Sequence, residues 1–433
     1  MAFVKGTATD YKNLLAQLVQ IVTSDQVATV AVNAGGTGYA VDDILTVAGG
    51  TSTHAATLRV TSVSSGVING IKVEQSGAYT ADPTLTGNSV TGGSGSGATM
   101  DLTMQTAEWT AERNTVSTET EVILRGDGSG SDNIYVGIRT FQDAGVSAYN
   151  WELAGFTGFD SGLTWNNQPG ISHGRYDDGN TLTEGGAFVL LDNASITFWI
   201  THSGRRILGV AKVAGTYESF YLGFLDTFST TTEAVYPLCI AGSCSQKNTR
   251  FNSTRACHTS IIDPRAKATA TSPTTSGASM MFRMTDGYWY DVYNARENSG
   301  VATTAMTAQE VNNVSPTGDM AYSPPNTTPT ADNISNLGAF EWNQFKKPDN
   351  STPNYELRPT PGSSNATPFF PCLVMLTSPS EQFPGELAGV FWFSKAGTSI
   401  VPEDEFVIGT DRYLIFSAAN NTNNWDYFCI KKE

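Results

Sequence analysis

Acidic side chains that stand close together in the sequence are the first candidates for chemistry. Two carboxylates and two hydroxyls share the glycine-rich segment Asp127-Gly-Ser-Gly-Ser-Asp132, and such oxygen atoms are the ligands that Ca²⁺ prefers. The segment lacks the third acidic position, the glycine at position six and the closing glutamate of a calcium loop. We therefore expect a hairpin turn here and no metal site.

Adjacent acids occur elsewhere, but their spacing does not suit catalysis. Neighbouring residues on a strand point to opposite faces, whereas glycan cleavage needs two carboxyl groups roughly 5–10 Å apart across a groove. No local pattern identifies such a pair. The adjacent acids are Asp42-Asp43, Asp177-Asp178 and Glu403-Asp404-Glu405.

Signatures of a catalytic nucleophile are also missing from the sequence. A nucleophile elbow has the pattern Gly-x-Ser-x-Gly, but Gly93-Ser-Gly-Ser-Gly97 places glycine where the serine must stand. The four histidines, His54, His173, His202 and His258, have neither metal nor triad spacing. We therefore expect a protein that is not an enzyme and binds no cofactor, with a polysaccharide depolymerase as the less favoured alternative.

The five cysteines are too widely spaced for a disulfide framework. The segment from Cys239 through Cys244 to Cys257-His258 has a faint likeness to a zinc site, but it lacks the close Cys-x2-Cys pair of such sites. Buried thiols are the simpler interpretation. The sequence does not decide whether a Cys239–Cys244 or a Cys244–Cys257 disulfide forms. The other two cysteines are Cys372 and Cys429.

Charge and composition exclude two further classes of partner. The 433-residue chain has 25 Lys and Arg against 41 Asp and Glu, and its net charge of −16 repels a phosphate backbone. No apolar run approaches the roughly 18–20 residues that a membrane helix needs. The first residues lack the basic segment and the apolar core of a signal peptide. We expect neither nucleic acid nor membrane as a partner, and a chain made in the cytoplasm.

Residues 9–23 show the clearest helical pattern in the sequence. Thr9 or Asp10 can cap the helix, and apolar residues recur at the i, i+3, i+4, i+7 spacing. This apolar stripe needs a cover, which is either the chain's own sheet or a neighbouring subunit. The candidates for an assembly interface are therefore Tyr11, Leu14, Leu15, Leu18 and Val22.

Residues 31–105 form a second kind of region, rich in Gly, Ser, Thr and Val. Short runs such as Ile44–Val47 predict strands, and Asn69-Gly70 predicts a tight hairpin turn. We expect a small β module that faces outward, in which Tyr39 and Tyr79 are exposed and contact glycan.

The rest of the chain completes a mainly β protein with antiparallel sandwich or barrel domains, a short N-terminal amphipathic helix and long irregular excursions. We divide it into an N-terminal lead-in (1–30), the module (31–105), a main β domain (106–310), an excursion rich in Pro and Asn (311–366) and a C-terminal β segment (367–433) that completes the main domain. Its aromatic clusters are expected in the core or in subunit contacts rather than on sugar.

Two kinds of segment resemble virion proteins of bacteriophages. The run Gly36–Gly50 with Gly77–Thr84 resembles a β module common in tail-associated proteins. The opening Gly6-Thr-Ala-Thr-Asp-Tyr-Lys-Asn-Leu-Leu15 is similar to that of phage tail or baseplate proteins, which carry Gly-Thr-Ala-x-Asp-Tyr-x-x-Leu-Leu. The likeness continues, in order, at Glu121–Gly130, Ile134–Arg139, Phe198–Ile200, Arg205–Ile207, Lys212-Val213, Tyr221–Phe224 and Gly409–Phe416.

The resemblance implies a structural component of a tailed-phage virion, in the tail or baseplate. It would assemble with other virion proteins and with copies of itself, as a trimer or hexamer around the tail axis. The virion would be its location, after assembly in the bacterial cytoplasm. The alternatives are a receptor-binding component that contacts host-surface glycan and a head, neck or collar decoration protein. In this comparison residues 31–105 behave as an insertion, whose two ends must lie close together.

Overall fold

The computed structural model describes residues 1–117, 119–128, 132–172, 187–227, 238–244, 261, 279–283, 289–295, 305–311, 369–376, 382–393, 400–417 and 427–432. These residues form several antiparallel sheets and one short N-terminal helix, so the mainly β fold class is confirmed. Nearly all of the predicted excursion at 311–366 lies outside the described residues.

The first part of the chain contains the helix and nine strands. These are β1 (Ala2–Ala8), α1 (Tyr11–Val22), β2 (Gln26–Thr37), β3 (Ile44–Val47), β4 (Thr51–His54), β5 (Thr57–Ser64), β6 (Val67–Gln75), β7 (Ala78–Ala81), β8 (Asn88–Gly92) and β9 (Ser96–Gln105).

The described residues of the later part contain seventeen strands and a 3-10 turn at Trp165–Asn167. The strands are β10 (Thr110–Thr115), β11 (Glu121–Asp127), β12 (Asn133–Asp143), β13 (Ala148–Phe156), β14 (Ala187–Val189), β15 (Ile196–Ser203), β16 (Arg206–Val213), β17 (Thr216–Phe224), β18 (Leu238–Gly242), β19 (Ser279–Arg283), β20 (Trp289–Ala295), β21 (Ala305–Val311), β22 (Phe369–Leu376), β23 (Gln382–Phe393), β24 (Glu405–Ile408), β25 (Asp411–Ser417) and β26 (Tyr427–Lys431).

Three of the sheets stack as layers, which together we call the body. The central sheet has the order β1-β15-β16-β17-β18-β19-β20-β21, the front sheet runs from β10 to β14, and the back sheet has the order β22-β23-β26-β25-β24. Side chains alternate along β15, so that Phe198 and Ile200 join the core against the front sheet while Trp199 joins the core against the back sheet. The central sheet is therefore buried on both faces.

Helix α1 has hydrogen bonds at each end that fix where it begins and ends. The Asp10 carboxylate accepts hydrogen bonds from the backbone N–H groups of Lys12 and Asn13, both at 2.8 Å, and thereby caps the helix. The Thr23 N–H bonds to the carbonyl of Val19 at the other end. The predicted helix is confirmed, and Asp10 rather than Thr9 is its cap.

Strands β2 to β9, residues 26–105, form what we call the barrel module. Six of them make a sheet of order β2-β9-β8-β3-β5-β6, and β2 also lies against β6, so that the sheet nearly closes into a barrel. Strands β2 and β9 pair, with Gln26 opposite Gln105. The chain therefore enters and leaves the module at adjacent positions.

The hairpin turn predicted at Asn69-Gly70 is wrong. These residues lie inside β6, and the turn between β5 and β6 lies at Ser65-Gly66, where φ is 50° and 78°. Gly70 faces Ser62 at an irregular point of the β5–β6 pairing, and the Ser62 hydroxyl donates to the Asn69 side chain at 2.5 Å. The Asn69-Gly70 pair therefore lies at a bulge, and the positive φ angles belong to Ser65-Gly66.

Candidate functional site

The helix residues predicted as assembly contacts lie in the interior of the protein. All five are at most 2% exposed and pack in the core between the central and front sheets, against residues such as Trp151 and Phe198. The chain's own sheets are the cover that the sequence left open, so the expectation that these side chains face a neighbouring subunit is corrected. The residues are Tyr11, Leu14, Leu15, Leu18 and Val22.

The two tyrosines predicted as glycan contacts are also buried. Tyr39 is 5% exposed and Tyr79 is 1% exposed, and both belong to the core of the barrel module. The Tyr79 hydroxyl accepts a hydrogen bond from the Ala56 N–H at 2.8 Å. The prediction of exposed rings is wrong because a small barrel needs large side chains to fill its interior.

The predicted acidic candidates bond to the backbone of turns or to basic side chains, or they lie outside the described residues. The Asp43 carboxylate accepts from the Ala40 N–H, the Ser94 N–H and the Ser94 hydroxyl, which together lower its pKa. The Asp127–Asp132 turn is closed by the Gly128 N–H on the Asp132 carbonyl, at 2.8 Å. Residues 129–131 and 177–178 are not described. Within the described part of the chain, no three His, Cys, Asp or Glu side chains are grouped to hold a metal ion.

The cysteines and aromatic clusters are structural where they are described. The Cys239 thiol is free and buried, so there is no Cys239–Cys244 disulfide; Cys257 and His258 lie outside the described residues. Trp151 and Trp289 pack in the core against the front sheet.

Charged residues meet where the barrel module contacts the body. Arg412, on β25, is 1% exposed and donates to Glu405 on β24 and to Glu74 on β6. Its Nη2 lies 2.7 Å from Glu74 Oε2 and its Nε 2.6 Å from Glu405 Oε1. Lys432, 4% exposed, donates to the same two carboxylates. We call Glu74, Glu405, Arg412 and Lys432 the ionic cluster.

The ionic cluster stabilises the charged form of Glu74. Burial opposes ionisation of this carboxyl, but hydrogen bonds from Arg59 and Lys432 and the charge of Arg412 outweigh burial and lower its pKa to about 2. Arg59 belongs to β5 of the module and also bonds Asp42 at 3.2 Å. Buried charges of this kind are tolerated only when each is paired, so the cluster fixes the module against the back sheet.

A second set of contacts joins the module to β1. The Phe3 N–H donates to the Ser76 hydroxyl at 3.2 Å, and the Ser76 N–H donates to the Phe3 carbonyl at 2.9 Å. The Lys5 N–H donates to the side chain of Gln75 at 2.8 Å. These bonds and the ionic cluster belong to one contact surface between module and body, which we call the seam.

Two histidine–glutamine pairs complete the seam. His54 of β4 bonds Gln17 of α1, with Nε2 3.0 Å from Oε1. Gln26 of β2 donates from Nε2 to His202 of β15 and to the carbonyl of Ile21. The histidine belongs to the module in the first pair and to the body in the second.

No local pattern in the sequence predicts the seam. Glu74 and Arg412 are separated by 338 positions; Arg412 lies in the Gly409–Phe416 segment, but nothing there marks it as a partner of Glu74. Comparison with models of known protein families and with curated proteins finds no match to this chain. Among the described residues no helix is both long and apolar enough to cross a membrane.

Proposed function

We propose that this protein is a structural component of a tailed-bacteriophage virion, in the tail or baseplate. It would work by assembly in several copies, as a trimer or hexamer around the tail axis, together with other virion proteins. The proposal rests on the resemblance of its segments to phage virion proteins and on where those segments lie in the fold.

The observation that carries the proposal is the convergence of these segments on one core. The Gly6–Leu15 segment supplies the end of β1, the Asp10 cap and the first turns of α1. Residues 121–127 of the second segment and the Phe198–Ile200 segment lie on β11 and β15, whose apolar side chains share one core with this helix. Residues that recur in order and build one core describe a structural framework rather than a reaction site.

Gly6 shows how closely the opening motif is tied to this framework. A Cβ atom at Gly6 would collide with the ring of Phe198 and would touch His54 Nε2 of the module. The first residue of the motif therefore lets three elements approach one another: β1, β15 and β4. This is the kind of role that a glycine at a close backbone approach performs.

The seam supports a structural role for the module as well. A region joined through buried ion pairs and backbone hydrogen bonds is held in a fixed position, as a part that transmits force in an assembly must be. A receptor-binding role would need contacts other than Tyr39 and Tyr79, because both rings fill the barrel core.

Particles of the phage that encodes this chain provide the test. We expect mass spectrometry of purified virions to find the protein in several copies per particle, and gold-labelled antibodies against it to mark the tail or baseplate. Deleting the gene should leave particles that lack this part. Wild-type particles that contain none of the protein, or deletion particles that keep a complete tail and baseplate, would overturn the proposal.

A further inference from the structure

The two histidines that the structure describes both lie at the seam and form reciprocal pairs across it, His54 with Gln17 and Gln26 with His202. We propose that these pairs are an acid-sensitive release, which frees one side of the barrel module while the ionic cluster keeps the other side attached. The module would then pivot about the ionic cluster. The inference rests on the seam alone and does not depend on the proposed virion role.

His54 donates from Nε2 to Gln17 Oε1, and burial rather than this bond opposes a charge on the ring. Gln17 Nε2 donates to the Thr7 carbonyl at 3.1 Å and to Asn13 Oδ1 at 2.7 Å, which turns Gln17 Oε1 towards His54. The imidazole also packs edge-on against the Phe198 ring, with centroids 5.9 Å apart. These contacts partly bury the ring, and burial lowers its pKa.

No charged group of the packed elements compensates a proton on His54. Lys5 of β1 places its ammonium over Trp199 and 3.7 Å from Glu403, and Lys12 of α1 places its ammonium over the ring of Tyr11. The described part of β15 and β7 offers no carboxylate to it: their sequences are Ile196–Ser203 and Ala78–Ala81. A protonated His54 would therefore stand in the seam without a counterion.

His202 is less able to accept a proton than His54. It is 1% exposed, and the amino terminus and Arg206 add positive charge nearby. Burial, with these two charges, lowers its pKa to about 3. Nε2 accepts from Gln26, so the neutral ring carries its proton on Nδ1, which has no hydrogen-bond partner among the described residues.

The sign of the pH effect follows from these positions. Both imidazoles are harder to protonate in the closed seam than in water, where the pKa of histidine is about 6.5. Closure is therefore fully stable above that value and weakens as the pH falls below it. Glu74 stays ionised down to about pH 2, so the ionic cluster persists in the acid range in which the histidines weaken closure.

Hydrogen–deuterium exchange on the full chain measures this release. The reporters are the Asp25 and Tyr79 amides, each bonded to the other residue's carbonyl; Asp25 precedes Gln26, and β7 pairs with β4 beside His54. The references are Val122 and Val136 of the front sheet. After correction for intrinsic exchange, we expect seam protection to fall between about pH 7.5 and about pH 5, by roughly 30-fold for one fully coupled histidine and up to roughly 1,000-fold for two. The front sheet should keep its protection.

Two variants assign the effect to the pairs. In His54→Gln/His202→Gln the side chains do not titrate, and the pH difference at Asp25 and Tyr79 should disappear. The matched control is His173→Gln/His258→Gln, which changes the chain's other two histidines and should keep the wild-type difference. If the first variant has lost seam protection already at neutral pH, Gln17→Glu decides, because a carboxylate beside His54 stabilises its protonated form and should reduce the pH difference by at least about threefold.

Three results would overturn the release mechanism. One is equal seam protection at both pH values. Another is a parallel loss in the front sheet, which would mean acid unfolding of the whole chain. The third is an unchanged pH difference in the histidine variant or, where that variant is disrupted, in Gln17→Glu.

Discussion

The body and the barrel module bury their apolar residues in different ways. In the body one sheet is covered on both faces, so that its strands contain nearly continuous apolar side chains: all but one residue of β16 is buried. In the module a six-stranded sheet nearly closes on itself, and buried positions alternate with less buried ones along its strands, as along β9. The body thus depends on packing between separate sheets, and the module depends on the interior of a single sheet.

This difference implies two cores that respond separately to substitution, joined by a polar seam. A change in the body core should not disturb the module's interior, and a change at the seam should leave both interiors intact. Four substitutions test this separation, each of them in a different place.

The largest effect is expected from Trp151→Ala in the body. Trp151 is fully buried between the central and front sheets, its ring contacts Phe220, and its Nε1 donates to the Tyr11 carbonyl at 2.8 Å. The cavity and the lost hydrogen bond should lower the free energy of unfolding of the body by about 3–5 kcal/mol. Urea unfolding followed by hydrogen exchange should show the loss in β12 and β15, with protection of β5 and β9 nearly unchanged. Equal losses in both regions would show a single cooperative core.

Arg412→Met should lower the free energy of opening the seam by about 3 kcal/mol. It leaves Glu74 and Glu405 close together with only Lys432 between them, and removing one member of a buried ion pair is strongly destabilising. The expected readout is faster exchange at Phe3 and Ser76. Arg125→Met is the matched control: it removes the more exposed Arg125–Glu112 pair and should cost less than about 1 kcal/mol. Similar costs for the two variants would contradict a special role for the ionic cluster.

Local periodicity predicted helices and strands well where apolar residues mark the buried face of the element. The spacing of Tyr11, Leu14 and Leu18 located α1, and the run Ile44–Val47 is strand β3 as predicted. The same spacing could not tell which partner covers a face, because a stripe buried by the chain's own sheet and one buried by a subunit have the same pattern.

The errors concern tertiary context. Tyr39 and Tyr79 stand beside glycines in a polar segment, which suggested exposure, but closure of the barrel turns both rings inward. The seam could not be predicted at all, because Glu74, Arg412 and Lys432 come together only when the module docks on the back sheet. Ion pairs between distant positions have no periodicity of their own.

Tyr79→Phe tests the module alone. The ring stays in the barrel core, but the Ala56 N–H loses the hydroxyl that accepts its hydrogen bond. A buried donor without an acceptor costs about 1–2 kcal/mol. We expect faster exchange in β4 and β5 and no change in β12 or β15. A loss that extends to the front sheet would mean that the module's interior also supports the body.

Asp10→Ala should have the smallest effect and is confined to the body. It removes the acceptor for the Lys12 and Asn13 N–H groups at the start of α1, which costs about 1 kcal/mol for a typical cap. Asp10→Asn is the matched control, since asparagine caps helices about as well and should recover most of the loss. Because α1 packs against β4 and β7 as well as against the body sheets, this small change also measures coupling between the two regions. Faster exchange confined to the first turn of α1 would indicate that the two cores respond separately. A matching loss of protection in β4 and β7 would show that the helix transmits strain from the body to the module.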